Sequence, residues 1–67
     1  MMEREERLRR IEEMLKSAQD PISGAALAEE LGVSRQAIVQ DMAILRNRGL
    51  SIRSTPRGYL FKRERAS

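Results

Sequence analysis

The chain has 67 residues, with 13 Lys and Arg against 10 Asp and Glu and with no Cys, His or Trp. That length allows one domain with a small core, near the size where folding alone is marginal. Without cysteine or histidine, disulfides, thiolate chemistry and the usual zinc sites are excluded; no nucleophile-plus-base constellation is present and so small a core leaves little room for a substrate pocket, so no enzyme is expected.

No apolar run is long enough to span a bilayer, and no signal-peptide pattern opens the chain, so a cytoplasmic protein is expected. Charge is unevenly divided. Residues 1–30 carry five Lys and Arg against eight Asp and Glu, whereas residues 31–67 carry eight against two. An acidic half followed by a basic one suits a molecule that offers one side to phosphates. A solvated surface whose sign fluctuates is the plain alternative.

Residues 3–17 read as a helix. Leu8, Ile11, Met14, Leu15 and Ala18 recur at helical spacing and form one apolar stripe. Glu3 with Arg7, Glu5 with Arg9 and Glu6 with Arg10 are spaced to pair along it, each pair contributing about 0.2–0.5 kcal/mol. In EREERLRR the acids nearly cancel the arginines, which assigns this run to a solvated face rather than to nucleic acid. Gln19, Asp20 and Pro21 break the helix. Ile22 and Ser23 suit a very short extended piece able to pair with a later strand. Ser23 then N-caps a second helix at 24–31. Such a helix start can hold a phosphate, so Ser23 is either a backbone contact or a bare structural cap.

Gly32 fits a sharp turn between two steeply crossing helices, because it tolerates positive φ and adds no bulk. Ala28 before it and Ile38 after it fit the close approach that follows. Ser34 is placed to N-cap a third helix at 35–48, accepting from the N–H of Gln36 or Ala37, and Gly49 ends that helix. The pattern is that of a helix-turn-helix whose second member is offered to a DNA major groove, although an αα-corner without a ligand has the same offsets.

At 100° per residue, Ile38, Met42 and Leu45 of the third helix share a core face. Opposite them lie Gln36, Gln40, Ala43 and Asn47, flanked by Val39 and Arg35. A solvated face in so charged a chain would normally carry Lys and Glu, whereas this one is amide-rich and uncharged. Gln and Asn can hydrogen-bond both edge groups of adenine, and a Val methyl can meet a thymine methyl. The base-reading candidates are therefore Arg35, Gln36, Val39 and Gln40, with Arg35 reaching a guanine or a phosphate. Idle surface amides and a lone exposed valine are the bland alternative. Asp41 cannot favour phosphate and is expected to pair with a nearby arginine or a backbone donor. Ile44 and Arg48 are expected to pack or salt-bridge against the first helix, and Arg46 is a phosphate candidate.

After Gly49 the period changes to two. Leu50, Ile52 and Ser54 alternate with Ser51, Arg53 and Thr55, and Gly58–Lys62 read as the antiparallel partner, so that a hairpin covers about 51–62. Pro56, Arg57 and Gly58 make its turn, with Gly58 supplying a special backbone angle. A hairpin after a helix-turn-helix is a wing. Arg57 at its tip is placed for a minor groove or the backbone, and Arg53 and Lys62 for phosphates. A stabilising hairpin with solvated arginines is the alternative. Residues 63–67 are polar and expected to fray.

The run VSRQAIVQDMAILRNRGLSIRSTPRGY resembles the winged helix-turn-helix that opens the nicotinate-responsive repressors of NAD biosynthesis and niacin uptake genes. More loosely it resembles the N-terminal domain of the biotin-operon repressor. Its specific part is Ser34–Asp41 followed by the wing at Thr55–Tyr59. The resemblance implies that Ser34, Arg35, Gln36 and Gln40 face an operator, that Arg57 belongs to the wing, and that a homodimer reads a palindrome. It also implies a larger C-terminal domain in which histidines bind a metal and nicotinate is sensed. This sequence ends at Ser67 and has no histidine, so that domain is expected to be absent and no cofactor is assigned to any residue present.

These readings combine into a mainly α fold with a small β-hairpin, a three-helix winged helix-turn-helix. The expected function is sequence-specific binding of double-stranded DNA as the operator-reading domain of a bacterial transcriptional repressor. Two rivals are a winged helix used only for protein association and the regulatory head of a biotin-ligase-like repressor.

Overall fold

Each predicted apolar stripe becomes one wall of a shared core in the computed structural model, which describes residues 3–62. Helix α1 runs Arg4–Ser17, α2 Gly24–Leu31 and α3 Arg35–Asn47, followed by strands β1 at Ile52–Thr55 and β2 at Gly58–Phe61. Leu8, Ile11 and Leu15 from α1 meet Leu27, Ala28 and Leu31 from α2 and Ile38, Met42 and Leu45 from α3, all of them buried. Met14, Ile44, Leu50, Ile52, Tyr59 and Phe61 pack around that centre and are partly exposed. The architecture is thus mainly helical with one antiparallel hairpin, as the sequence implies. Among the described residues no helix is long and apolar enough to cross a membrane.

The caps form where they are expected. Ser23 Oγ accepts from the N–H of Ala26 at 3.0 Å and Ser34 Oγ from that of Ala37 at 3.1 Å. Gly32 closes α2 at φ +69°, a left-handed conformation that other residues enter at a cost, and the Val33 N–H returns to the Ala28 carbonyl at 3.0 Å. Small Ala28, 6% exposed, sits under this turn. The boundaries shift by one residue: Glu3 precedes α1 as a cap without a side-chain bond, and Arg48 is the C-cap of α3 instead of its last residue.

Of the three intrahelical pairs expected along α1, Glu6–Arg10 is present at 3.8 Å. The other two are replaced by tertiary pairs. Arg7 turns to Asp41 and Glu5 to Arg48, both on the α3 side. A weak exposed pair within one helix yields to a partner that is buried or held by a second element. Lys16 and Glu12 make a further pair along α1 at 2.7 Å, and the Lys16 ammonium lies 5.6 Å from the centre of the Phe61 ring.

The hairpin register pairs Ile52 with Phe61, Arg53 with Leu60, Ser54 with Tyr59 and Thr55 with Gly58. Two strands alone would be marginal. Ile22 extends them, its N–H donating to the Tyr59 carbonyl at 2.9 Å and its carbonyl accepting from the Tyr59 N–H at 2.7 Å. The short extended piece before α2 therefore anchors the wing to the helices. The fraying expected at residues 63–67 lies outside the described residues.

Candidate nucleic-acid interface

Burial of Ile38, Met42 and Leu45 forces the opposite side of α3 outward. Gln36, Gln40, Ala43 and Asn47 are exposed there, with Arg35 at the first turn. Val39 is 56% exposed, the one large exposed hydrophobic side chain among the described residues. Val39 thus stands in water on a face of amides and small residues.

Between the start of α3 and the wing lies an open groove of about 280 Å³, whose walls include Ser23, Gly24, Arg35, Val39, Arg57 and Tyr59. It brings together four of the residues singled out from sequence: Ser23, Arg35, Val39 and Arg57. Ser23 and Ser34 accept backbone N–H bonds as caps, and each hydroxyl keeps its own hydrogen for an outside acceptor such as a phosphate oxygen. Gln36 and Gln40 stand farther round α3 and do not line the groove.

Three basic candidates lie away from this groove. Arg46, in the last turn of α3, donates from Nε to the Ile52 carbonyl at 3.3 Å, so part of its guanidinium ties α3 to the base of the hairpin. Arg53 is exposed on β1 opposite Leu60, and Lys62 follows β2, its N–H donating to the Ser51 carbonyl at 2.7 Å.

One role within the site escaped the sequence reading. Thr55 Oγ1 accepts from the N–H groups of Arg57 and Gly58, both at 3.1 Å, and donates to the Gly58 carbonyl at 2.7 Å. Its hydroxyl therefore fixes the wing tip from inside and sets where Arg57 leaves the chain. A Thr directly before the turn was the available signal, since Ser and Thr hydroxyls close short turns in this way.

Asp41 does not oppose phosphates, because it is 1% exposed and fully engaged by Arg7. Those hydrogen bonds hold the Arg7 proton more tightly than in water, partly offset by burial and helped by the carboxylate's charge. The expectation that Asp41 finds an arginine is met. Arg48 likewise bonds Glu5 on α1 with both terminal nitrogens, at 3.1 and 2.7 Å.

The metal and nicotinate implied by the resemblance are assigned to no residue of this chain. The sequence holds no histidine, and among the described residues no three His, Cys, Asp or Glu side chains cluster as a metal site. No chemistry is assigned to either group in this chain.

A turn at Gly32, an outward amide face on α3 and an arginine-tipped hairpin beside it define a winged helix-turn-helix. The chain belongs to the HTH domain family, whose pattern it matches over residues 7–60. It is 58% identical over 57 residues to the "Probable transcription repressor NiaR" of Thermotoga maritima, an alignment covering 85% of this chain and 33% of that protein. To the "Transcription repressor NadR" of Bacillus subtilis it is 40% identical over 47 residues, covering 70% of this chain and 26% of the relative. The chain thus spans about a third of the length of the first and about a quarter of the second.

Proposed function

We infer that this chain binds double-stranded DNA sequence-specifically, as the operator-reading domain of a bacterial transcriptional repressor of NAD or niacin metabolism genes. The observation that carries the reading is the outward face of α3, where Gln36, Val39 and Gln40 are exposed beside a groove bounded by Arg35 and Arg57. Gln36 and Gln40 read base edges, Val39 meets a thymine methyl, and Arg35 takes a guanine or a phosphate. Ser23, Ser34, Arg46, Arg53, Arg57 and Lys62 contact the backbone, the wing arginine entering beside the groove that α3 occupies. The names of the two relatives, both transcription repressors, support this role. The metabolic assignment rests on the resemblance of the Ser34–Asp41 and Thr55–Tyr59 runs.

The working form of the whole protein is a cytoplasmic homodimer on a palindromic operator, two half-sites joined on one duplex giving the affinity that one module lacks. Recovery of bound duplexes from a random pool, at two salt concentrations, tests the reading. A short motif that persists at the higher salt supports it. Salt-sensitive binding of every sequence alike would reject base reading, and weak, salt-insensitive association would point to a protein-docking module instead.

A further inference from the structure

Asp41 is the one charged side chain in the buried set among the described residues, and it neighbours Gln40 on α3. Arg7 reaches it from α1 across 34 residues of sequence, donating from Nε to Oδ2 and from Nη2 to Oδ1, the latter at 3.0 Å. A buried ion pair is a poor way to gain stability, since desolvating both charges offsets most of their attraction. What it supplies is direction. Burial of Ile38, Met42 and Leu45 drives α3 onto the core without direction, whereas a two-point fork adds a fixed geometry.

The geometry of α3 sharpens this point. At 100° per residue, Asp41 lies on one flank of the apolar seat, the flank nearer Gln40, and Arg46 lies on the other. Arg46 is tied to the Ile52 carbonyl of the hairpin, so directional bonds hold both flanks of the helix. A roll of about 20° would move groups about 5–6 Å from the helix axis by about 2 Å, more than a hydrogen bond to a base edge tolerates.

We propose that Arg7, through its fork on Asp41, is a positioning residue for DNA reading: it sets the roll and height of α3 so that Gln36 and Gln40 meet base edges. The inference rests on the DNA-reading function above. Arg7 touches no DNA in this scheme; it acts through Asp41.

The test uses the duplex motif selected by the unaltered chain, together with duplexes changed at single bases. Arg7→Lys keeps the charge and the stem but replaces the fork by a point charge, and Asp41→Asn keeps the shape. Glu5→Gln is the control, because it removes an exposed pair between α1 and Arg48 just after α3. Binding is compared at a temperature where circular dichroism shows each variant folded. Arg7→Lys and Asp41→Asn are expected to lose about tenfold in discrimination at the positions read by glutamine, within the range a bidentate contact supplies. The slope of affinity against salt stays unchanged, because no phosphate contact is lost. Glu5→Gln keeps both properties.

A folded Arg7→Lys that discriminates as well as the unaltered chain overturns the proposal and leaves the DNA-reading function standing. Should Asp41→Asn fail to fold, Arg7→Lys decides alone. If the unaltered chain selects no motif, the functional reading itself fails, and this proposal with it.

Discussion

Gly58 and Ile22 meet backbone to backbone: a β-carbon on Gly58 would stand 2.5 Å from both the carbonyl carbon and the carbonyl oxygen of Ile22. Gly58 also has φ +139°, a conformation that side-chain-bearing residues rarely adopt. The contact lies beside the two hydrogen bonds between Ile22 and Tyr59, which fasten the wing to the segment entering α2. Gly58→Ala is therefore expected to cost about 2 kcal/mol or more, a large share of a small domain's stability. Urea unfolding checks this, and an unchanged midpoint would show that the wing is not held through Ile22.

Thr55 gives a finer test of the wing. Thr55→Val keeps the side chain's shape but removes three hydrogen bonds, at a cost of about 1–3 kcal/mol, whereas Thr55→Ser retains them. The expected result is faster amide exchange at Arg57 and Gly58 and several-fold weaker DNA binding in the valine variant alone. Equal exchange in the two variants would exclude the hydroxyl as the organiser of the tip.

Ser34 combines a cap with a proposed phosphate contact, and substitution separates the two. Ser34→Ala should cost about 1 kcal/mol of stability. Ser34→Asp should retain the cap but bring a negative charge toward the backbone, leaving thermal stability near the original while DNA affinity falls about tenfold or more. Unimpaired binding by the aspartate variant would remove Ser34 from the interface.

The pair between Glu5 and Arg48 makes a pH prediction. The Glu5 carboxyl is held below its ordinary value, chiefly by the hydrogen bonds from Arg48, against some desolvation and with help from the charges of Arg48 and Arg4. A depressed carboxyl contributes stability that is present above its unfolded pKa, about 4.3, and is lost as pH falls through the lower folded value. Arg48 is shifted upward by the same partner and stays charged throughout the acid range, so protonation of Glu5 is what breaks the pair there. Melting temperature should accordingly fall less steeply below about pH 4 in Glu5→Gln than in the unaltered chain, and the difference should shrink in concentrated salt. Parallel curves would count against the pair.

Local chemistry made most of this fold legible. The stripes of α1 and α3, the caps at Ser23 and Ser34, the turn at Gly32 and the pairing of Ile22 with the hairpin all follow from periodicity and residue type. Tertiary choice was harder to read. Arg7 had Glu3 at helical spacing, yet the buried Asp41 takes it, because a buried carboxylate must find a partner while an exposed glutamate is already solvated. Glu5 bonds Arg48 instead of Arg9, a choice made between exposed partners and settled by where the end of α3 lies. Arg46 reads as a free phosphate contact along the helix, but the carbonyl it bonds belongs to a strand whose position only packing decides. Thr55 was visible as a position in an alternating strand and as the first residue of the wing run, but its three bonds depend on the tightness of the turn.

The most direct test of base reading by α3 is parallel selection of duplexes by the unaltered chain, Gln36→Ala and Gln40→Ala. Each glutamine variant should recover the same motif with preference blurred at one or two positions, a loss of about 1–3 kcal/mol there, while its salt dependence is unchanged. Motifs identical to the original in both variants, or weakening that is uniform across all sequences, would contradict base reading by the amide face.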